Sequence, residues 1–217
     1  TEEQSIMRTT LLPGLLKNAS YNQSRRITNL KLAEIGAVFL PSGKELPDEK
    51  MHLGVLAMGE EEQNWLTNKA AYDYFYLTGI LEKIAKSFGI ENWQVVVADD
   101  IPFLHPGKSA KIMINGQMIG FIGELHPNVL KNYGVVRTSC MEIDLEAAFM
   151  ACNRKITCHP LPKYPAIHRD IALMADIAVP VATIEEVIRK AAGDSLVKIG
   201  LFDVYQGSQL PNGKRSL

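Results

Sequence analysis

The chain has 217 residues, of which 47% are hydrophobic, and a formal net charge of −1. This size allows one sizeable core, or one core with a small second domain, and no apolar run reaches the length of a membrane span. Residues 1–151 carry 14 Lys and Arg against 18 Asp and Glu, whereas residues 152–217 carry 9 against 6. The basic excess of the second part indicates weakly that it faces an anion, with ordinary surface charge as the alternative.

The three cysteines, Cys140, Cys152 and Cys158, show no CxxC spacing and leave an odd number. This pattern favours a reduced, cytoplasmic protein over a disulfide scaffold or a zinc site. We expect a piece of a longer chain, because Thr1 is not a start methionine and the next residues are typical of a helix already under way.

The first elements predicted are a helix and two strands. Apolar residues at helical spacing predict a helix that starts near Leu12, with Pro13 in its first turn. Strands are predicted at residues 30–40 and 52–58, with a polar loop at residues 41–50. Gly36 inside the first strand indicates a bulge or a close backbone approach.

Residues 68–89 show the clearest helical pattern, with an apolar stripe and Gly89 in the C-cap position. A strand follows at residues 93–98. Four neighbouring aromatic residues, Tyr72, Tyr74, Phe75 and Tyr76, could stack on bases. A place in the core or a subunit interface is the favoured interpretation, because some of them must face inward on a helix.

A hairpin is predicted around Asn115-Gly116, because both positions of a tight hairpin turn need positive φ. A short helix at residues 126–134 follows, with Pro127 at its first position and His126 as its N-cap. A sixth strand at residues 140–145 completes a mostly antiparallel set with a few helices. The pattern predicts an α+β fold and contains no glycine-rich phosphate loop.

His105, Glu124 and His126 raise an alternative function, because histidine and carboxylate side chains could hold a metal or act as acid and base. On this hypothesis the protein is a stand-alone metal-dependent hydrolase. A structural role is favoured for His126, and the sequence indicates no third ligand that would complete a site around His105.

The second part begins with a polar, proline-rich linker at residues 152–160. Residues 161–217 then predict the order β-α-β-β: strands at 168–175 and 197–207, a helix at 183–193 and a last strand that begins at 214. Thr183 and Glu186 form a capping box for the helix. A complete βαββαβ fold needs about 70 residues, and only 49 remain from Arg169. We therefore expect a truncated ferredoxin-like segment whose missing half follows Leu217. A closed small-molecule-binding module is the alternative, which the length disfavours.

Six motifs in order resemble the beta chains of bacterial phenylalanyl-tRNA synthetases. They are SIMRTTLLPGLL, LAEIGAVF, HPGKSAKI, IGFIGELHPNVL, PKYPAIHRDIAL and LFDVYQG followed by GKRSL. The resemblance covers nearly the whole chain. It implies that residues 1–151 form a catalytic-like class II synthetase domain on an antiparallel sheet. Residues 161–217 would begin a ferredoxin-fold anticodon-binding domain.

The resemblance also implies that this piece does no chemistry. Class II enzymes grip ATP phosphate with an arginine near the end of the first motif-2 strand and a second arginine in motif 3. Leu40 and Leu145 stand at the aligned positions, and leucine cannot replace the bidentate charge of arginine. No catalytic residue, cofactor or metal is expected in this fragment, whereas the whole enzyme uses ATP and Mg²⁺ to join phenylalanine to its tRNA.

The implied partners are the alpha subunit, in an α2β2 heterotetramer, and the anticodon stem-loop of tRNA(Phe), without membrane contact. Basic residues near strand ends in the second domain are the candidates for contact with the tRNA. They are Lys163, His168, Arg169, Lys214 and Arg215. Ordinary surface charge is the alternative, and Arg169 could instead pair with Asp170.

Overall fold

A computed structural model describes residues 5–63, 65–66, 69–153, 158, 161, 163–207 and 209–217. The chain divides into two compact units, Thr1–Thr157 and Cys158–Leu217. None of the helices in the described part of the chain has the length and apolar character that a membrane span requires.

The first unit contains four helices and six strands within its described part. The helices are α1 (Leu12–Gln23), α2 (Tyr74–Phe88), α3 (Pro127–Tyr133) and α4 (Leu145–Met150). The strands are β1 (Leu30–Leu40), β2 (Asp48–Met58), β3 (Trp93–Val97), β4 (Leu104–Ile114), β5 (Gln117–Leu125) and β6 (Thr138–Asp144). They form one sheet in the order β1-β2-β6-β5-β4-β3, with every neighbouring pair antiparallel. The predicted α+β class is thereby confirmed.

Helices cover both faces of this sheet, and each face has its own apolar core. Leu12, Leu16 and the rest of the apolar stripe of α1 pack with α3 against one face. Leu77 and Leu81 of α2 pack with α4 against the other face. Because side chains alternate along a strand, residues 52, 54, 56 and 58 of β2 point towards α1, and residues 53, 55 and 57 point away from it.

The predicted hairpin is confirmed, because Asn115 and Gly116 have φ angles of 50° and 79° and join β4 to β5. Two boundaries were wrong by four residues or more. Helix α2 begins at Tyr74, not near residue 68, because the side chain of Asp73 caps it by accepting from the backbone N of Tyr76. Strand β2 begins at Asp48, inside the predicted loop, because the ladder with β1 continues to the pair Leu40 and Asp48.

Gly36 marks a close approach, not a bulge. The pairing of β1 with β2 runs without a register shift, so no extra residue interrupts the ladder. A Cβ atom on Gly36 would collide with the guanidinium group of Arg8, which crosses the strand at this point. The backbone N of Phe39 also donates to the carbonyl oxygen of Arg8 at 2.8 Å. The segment before α1 therefore lies against β1.

The second unit is less regular than the sequence predicts. Its described part contains β7 (Met174–Asp176), α5 (Val181–Ala192), a 3₁₀ turn and β8 (Lys214–Ser216), with β7 and β8 antiparallel. The predicted strand at residues 168–175 is reduced to β7. In place of a strand at residues 197–207, only Tyr205 pairs, with Ser216. A strand needs hydrogen bonds from a neighbouring strand. Because β8 has only three residues, it supplies few such partners.

The predicted capping box of α5 is wrong. The helix begins at Val181, its N-cap is Pro180, and no side chain caps it. Thr183 therefore lies inside the first turn, where its backbone N donates to the carbonyl oxygen of Pro180 at 3.1 Å. The N-cap Pro180 starts the helix three residues earlier than the capping pattern, with Thr183 as N-cap, predicts.

Candidate functional site

The two leucines aligned with class II arginines lie at the same end of three neighbouring strands. Leu40 ends β1, where it is half-buried, and Leu145 follows β6 as the first, buried residue of α4. The pairs Leu40 with Asp48 and Asp144 with His52 join β1, β2 and β6 at this end. The resemblance described above predicts arginines at these two positions in an ATP-binding unit.

A row of charged side chains crosses the sheet beside these leucines, on the face that α1 covers. It consists of three pairs: Arg8 with Glu34 at 2.5 Å, Lys50 with Asp144 at 2.9 Å, and His52 with Glu142 at 2.7 Å. We call these six residues the charged row. Each carboxylate in the row therefore has a basic partner within the same unit.

Glu142 is the most deeply buried member of the row, with a side chain 2% exposed. Its carboxylate accepts from the Thr10 hydroxyl at 2.5 Å, from the Leu11 backbone N at 3.0 Å and from His52 Nδ1 at 2.7 Å. Since a carboxylate only accepts, the hydrogen bond assigns a proton to Nδ1 of His52. Glu142 thus fixes the start of α1 to the middle of the sheet.

Asp144 performs two structural tasks at the end of β6. Burial alone would raise the pKa of Asp144, but hydrogen bonds from Lys50 and from the backbone N of Ala147 outweigh burial and lower this pKa. The hydrogen bond and charge of Asp144 in turn raise the pKa of Lys50. The bond to Ala147 caps α4. Both groups therefore keep their charges and satisfy one another.

The sequence analysis did not identify the charged row. The one local signal was a glutamate within TSCMEID, a strand whose other residues are mainly apolar or small. A carboxylate in such a strand must find hydrogen-bond donors, because an unpaired buried charge is very costly. The donors Thr10 and Leu11 lie more than 130 residues away in sequence, so only the fold reveals them.

The histidines of the hydrolase hypothesis have local structural roles. His126 is the N-cap of α3, as predicted, and its Nδ1 accepts from the backbone N of Asn128 at 3.2 Å. Nδ1 of His105 accepts from the backbone N of Gly107 at 3.1 Å, within the irregular first part of β4. Across the described parts of the chain, no group of three or more His, Cys, Asp or Glu side chains could hold a metal.

Glu124 forms ion pairs with two basic side chains. It lies buried on β5 and accepts from Lys108 Nζ at 3.0 Å and from two nitrogens of Arg137. Burial alone would raise the pKa of Glu124, but the hydrogen bonds from Arg137 and Lys108 lower it. With Glu124 and both histidines engaged elsewhere, the hydrolase hypothesis has no support.

The tRNA-contact candidates of the second unit fall into two groups. Lys163, His168 and Arg169 are exposed. Lys214 instead pairs with Asp176 at 2.7 Å, and Arg215 is half-buried and donates to a backbone oxygen. Among the described residues, no hydrogen bond or ion pair links the two groups. His168 and Arg169 also line a cavity of about 440 Å³ beside the apolar side of α5.

The amino-acid sequence matches two family models. Residues 1–145 match the model described as "Phenylalanyl tRNA synthetase beta chain CLM domain". Residues 162–217 match the "Ferredoxin-fold anticodon binding domain". The second match supports the ferredoxin-like prediction for the C-terminal unit.

Curated relatives match along nearly the whole chain. This chain is 43% identical to the phenylalanine–tRNA ligase beta subunit of Carboxydothermus hydrogenoformans, over 99% of this chain. It is 41% identical to the phenylalanine–tRNA ligase beta subunit of Moorella thermoacetica, over 100% of this chain. The chain spans 27% of the length of each of these relatives. Among solved structures, a pyrrolysyl-tRNA synthetase from Desulfitobacterium hafniense gives a TM-score of 0.48 at 15% identity, over 66% of this chain and 49% of that one.

The family model of the beta chain covers two thirds of this chain, and the sheet and helices agree with the architecture expected of a class II synthetase-like domain. The anticodon-binding model accounts for nearly all of the rest. The chain belongs to the phenylalanyl-tRNA synthetase beta chain family.

Proposed function

We propose that this chain is part of the beta subunit of phenylalanine–tRNA ligase and does no chemistry itself. Residues 1–151 serve as a pseudo-catalytic scaffold for the alpha subunit. Residues 152–160 link them to residues 161–217, which form part of a tRNA-binding arm. The observation that carries the proposal is the beta-chain family match combined with leucine at residues 40 and 145.

The charged row supports the non-catalytic part of the proposal. Adenylyl transfer needs positive groups that remain available to stabilise developing phosphate charge. In this unit Arg8, Lys50 and His52 each face a carboxylate at 2.5 to 2.9 Å. The row therefore contributes to the stability of the fold, and each of its three basic groups already has an acidic partner.

Phenylalanine-dependent ATP–pyrophosphate exchange tests this point. We expect no exchange above background from the chain alone, and none from the Leu40→Arg variant, because a single arginine does not rebuild a site whose other cations are paired. Added alpha and full-length beta subunits provide the positive control. Exchange by the chain alone would refute the non-catalytic role.

An apolar surface on the first unit fits a protein partner. Ile35 on β1 is 64% exposed and Met51 on β2 is 38% exposed, and both point away from α1. Phe75 at the start of α2 is 77% exposed, whereas Tyr72 is buried. Contiguous exposed apolar patches commonly mark protein interfaces, and we propose that these side chains belong to one such patch. The alpha subunit is the partner that the family suggests.

The second unit would contact the anticodon stem-loop of tRNA(Phe) through Lys163, His168 and Arg169, which are exposed. Lys214 and Arg215 remain candidates, although each already has a partner within the unit. A triple variant Lys163→Ala, His168→Ala and Arg169→Ala should weaken binding of a tRNA(Phe) transcript and flatten its salt dependence. Unchanged affinity and salt dependence would exclude this group from the contact.

The complete enzyme would be an α2β2 heterotetramer in the cytoplasm that uses ATP and Mg²⁺ to charge tRNA(Phe) with phenylalanine. The cytoplasmic location follows from the odd number of cysteines and the lack of CxxC spacing in the sequence. On the same proposal, ATP and Mg²⁺ would act in the alpha subunit.

A further inference from the structure

Arg26 has an unusual backbone conformation at the end of α1. Its φ is 66°, in the left-handed region that normally favours glycine. The backbone N of Arg26 donates to the carbonyl oxygen of Gln23 at 2.8 Å, and the backbone N of Ile27 donates to that of Asn22 at 3.1 Å. This pair of bonds defines a Schellman motif with arginine in place of the usual glycine. Keeping a long cationic side chain at this position costs stability and therefore suggests a function.

Basic charge is concentrated around this turn. Residues 4–33 contain five Lys or Arg and no Asp or Glu, and residues 125–141 contain two Lys or Arg and no Asp or Glu. Two of these seven cations pair with acids just outside the segments, Arg8 with Glu34 and Arg137 with Glu124. The remainder of residues 1–151 is strongly acidic by comparison. Lys131 near a helix end is explained by the helix dipole, but the dipole does not explain an arginine with positive φ.

The fold brings the two acid-free segments together. The side-chain amide of Gln23 donates to the carbonyl oxygen of Gly134 at 2.7 Å and accepts from the backbone N of Val136 at 2.8 Å. The end of α1 is thereby held beside the end of α3, which carries Lys131. Because Gln23 contacts backbone on both sides, the arrangement is fixed independently of the basic side chains.

Three cations in this region lack an acidic partner among the described residues, although Arg25 also donates to the Tyr21 carbonyl oxygen at 3.2 Å and to the Ser24 hydroxyl at 3.4 Å. Arg25, Arg26 and Lys131 are exposed, and none forms an ion pair within the described parts of the chain. The guanidinium of Arg25 lies 3.4 Å from the ring centroid of Tyr21, itself exposed. A stacked arginine beside an aromatic ring can meet both phosphates and unstacked bases. We call Tyr21, Arg25, Arg26 and Lys131 the basic corner.

We propose that the basic corner is a second RNA-contact surface, located on the catalytic-like unit and directed at the sugar–phosphate backbone. RNA is the polyanion favoured here, because the same chain carries an anticodon-binding domain. The corner recognises charge and backbone shape, so it contributes affinity without sequence preference. The proposal rests on the proposed function only for the choice of tRNA as the probe.

The test uses the whole chain with a tRNA(Phe) transcript and a noncognate tRNA, titrated from about 50 to 200 mM salt. The corner variant is Arg25→Ala, Arg26→Gly and Lys131→Ala. We expect affinity for both tRNAs to fall about tenfold at the low-salt end and the logarithmic salt slope to decrease by about 2. Arg26→Gly alone should raise the unfolding temperature, because glycine suits the left-handed turn, so a loss of binding would not reflect misfolding.

A matched control removes the same charge elsewhere on the first unit. Lys44, Lys83 and Lys86 are exposed and lie outside the corner, so their triple alanine variant should bind nearly as well as the original chain. Equal losses of tRNA affinity in the control and corner variants would overturn the proposal, because they would show that only the net charge of the chain matters.

The variant at Lys163, His168 and Arg169 separates this proposal from the proposed tRNA arm. If only that variant loses affinity, the basic corner is refuted and the arm survives. If only the corner variant loses affinity, RNA contact by the basic corner is supported and contact through Lys163, His168 and Arg169 is refuted. Binding to phosphatidylserine vesicles that the corner variant loses, with tRNA affinity unchanged, would overturn the proposal in favour of a membrane surface.

Discussion

Nδ1 of His52 lies 2.7 Å from a carboxylate oxygen of Glu142, in the interior of a six-stranded sheet. The same carboxylate accepts from Thr10 and from the backbone N of Leu11. Glu142 thereby ties the first turn of α1 to β6.

Replacement of Glu142 by alanine should destabilise the first unit by about 3 kcal/mol, because it leaves buried donors without an acceptor. As a control, replacement of the exposed Glu82 by alanine should change the free energy of unfolding by no more than about 0.5 kcal/mol. Both tryptophans, Trp65 and Trp93, belong to the first unit, so urea unfolding followed by tryptophan fluorescence measures this difference. Equal stability of the two variants would contradict the role of Glu142.

Glu124→Gln should remove a pH-dependent contribution to stability. The folded pKa of Glu124 lies below its ordinary value because of Arg137 and Lys108, and the unfolded pKa is about 4.3. The contribution is therefore present above the unfolded pKa and lost as pH falls through the lower, folded pKa. The variant should be less stable by about 1–2 kcal/mol near neutral pH, and this difference should shrink below about pH 4.

Urea unfolding at several pH values measures that difference, with exposed Glu91→Gln as the control. The control should differ little from the original chain at any of them. A Glu124→Gln deficit that is the same in acid as at neutral pH would show that the ion pairs do not supply the stability.

Two glycine-to-alanine variants should have opposite effects. A Cβ on Gly120 would collide with the carbonyl oxygen of Glu142 on the neighbouring strand, whereas a Cβ on Gly79 in α2 meets nothing within 4 Å. Gly120→Ala should cost about 2–3 kcal/mol, because neither central strand can move away. Gly79→Ala should stabilise α2 by about 0.5–1 kcal/mol. Thermal unfolding compares the two, and a neutral Gly120→Ala would contradict the strand spacing.

Local signals in the sequence were sufficient for much of the first unit. The Asn115-Gly116 turn, the His126 cap and the span of β1 each depend on residues close together in sequence, and all three predictions are confirmed. The start of α2 was missed because Asp73, a cap inside the predicted helix, was overlooked.

The charged row and the second unit could not be predicted in the same way. Glu142 and Leu11 are joined across 131 residues, and no periodic pattern reports such a contact. Residues 197–207 have the composition of a strand, yet composition cannot supply a neighbouring strand. Pro180 likewise overrode the capping pattern at Thr183.

Association with the alpha subunit tests the scaffold role most directly. Size-exclusion chromatography with light scattering should show the chain co-eluting with the cognate alpha subunit. Ile35→Asp should weaken that complex at least tenfold, because it places a charge in the apolar surface proposed for docking. Val97→Asp is the matched control, since Val97 is 74% exposed on β3 at the opposite edge of the sheet. Separate elution of the original chain and the alpha subunit would contradict the account.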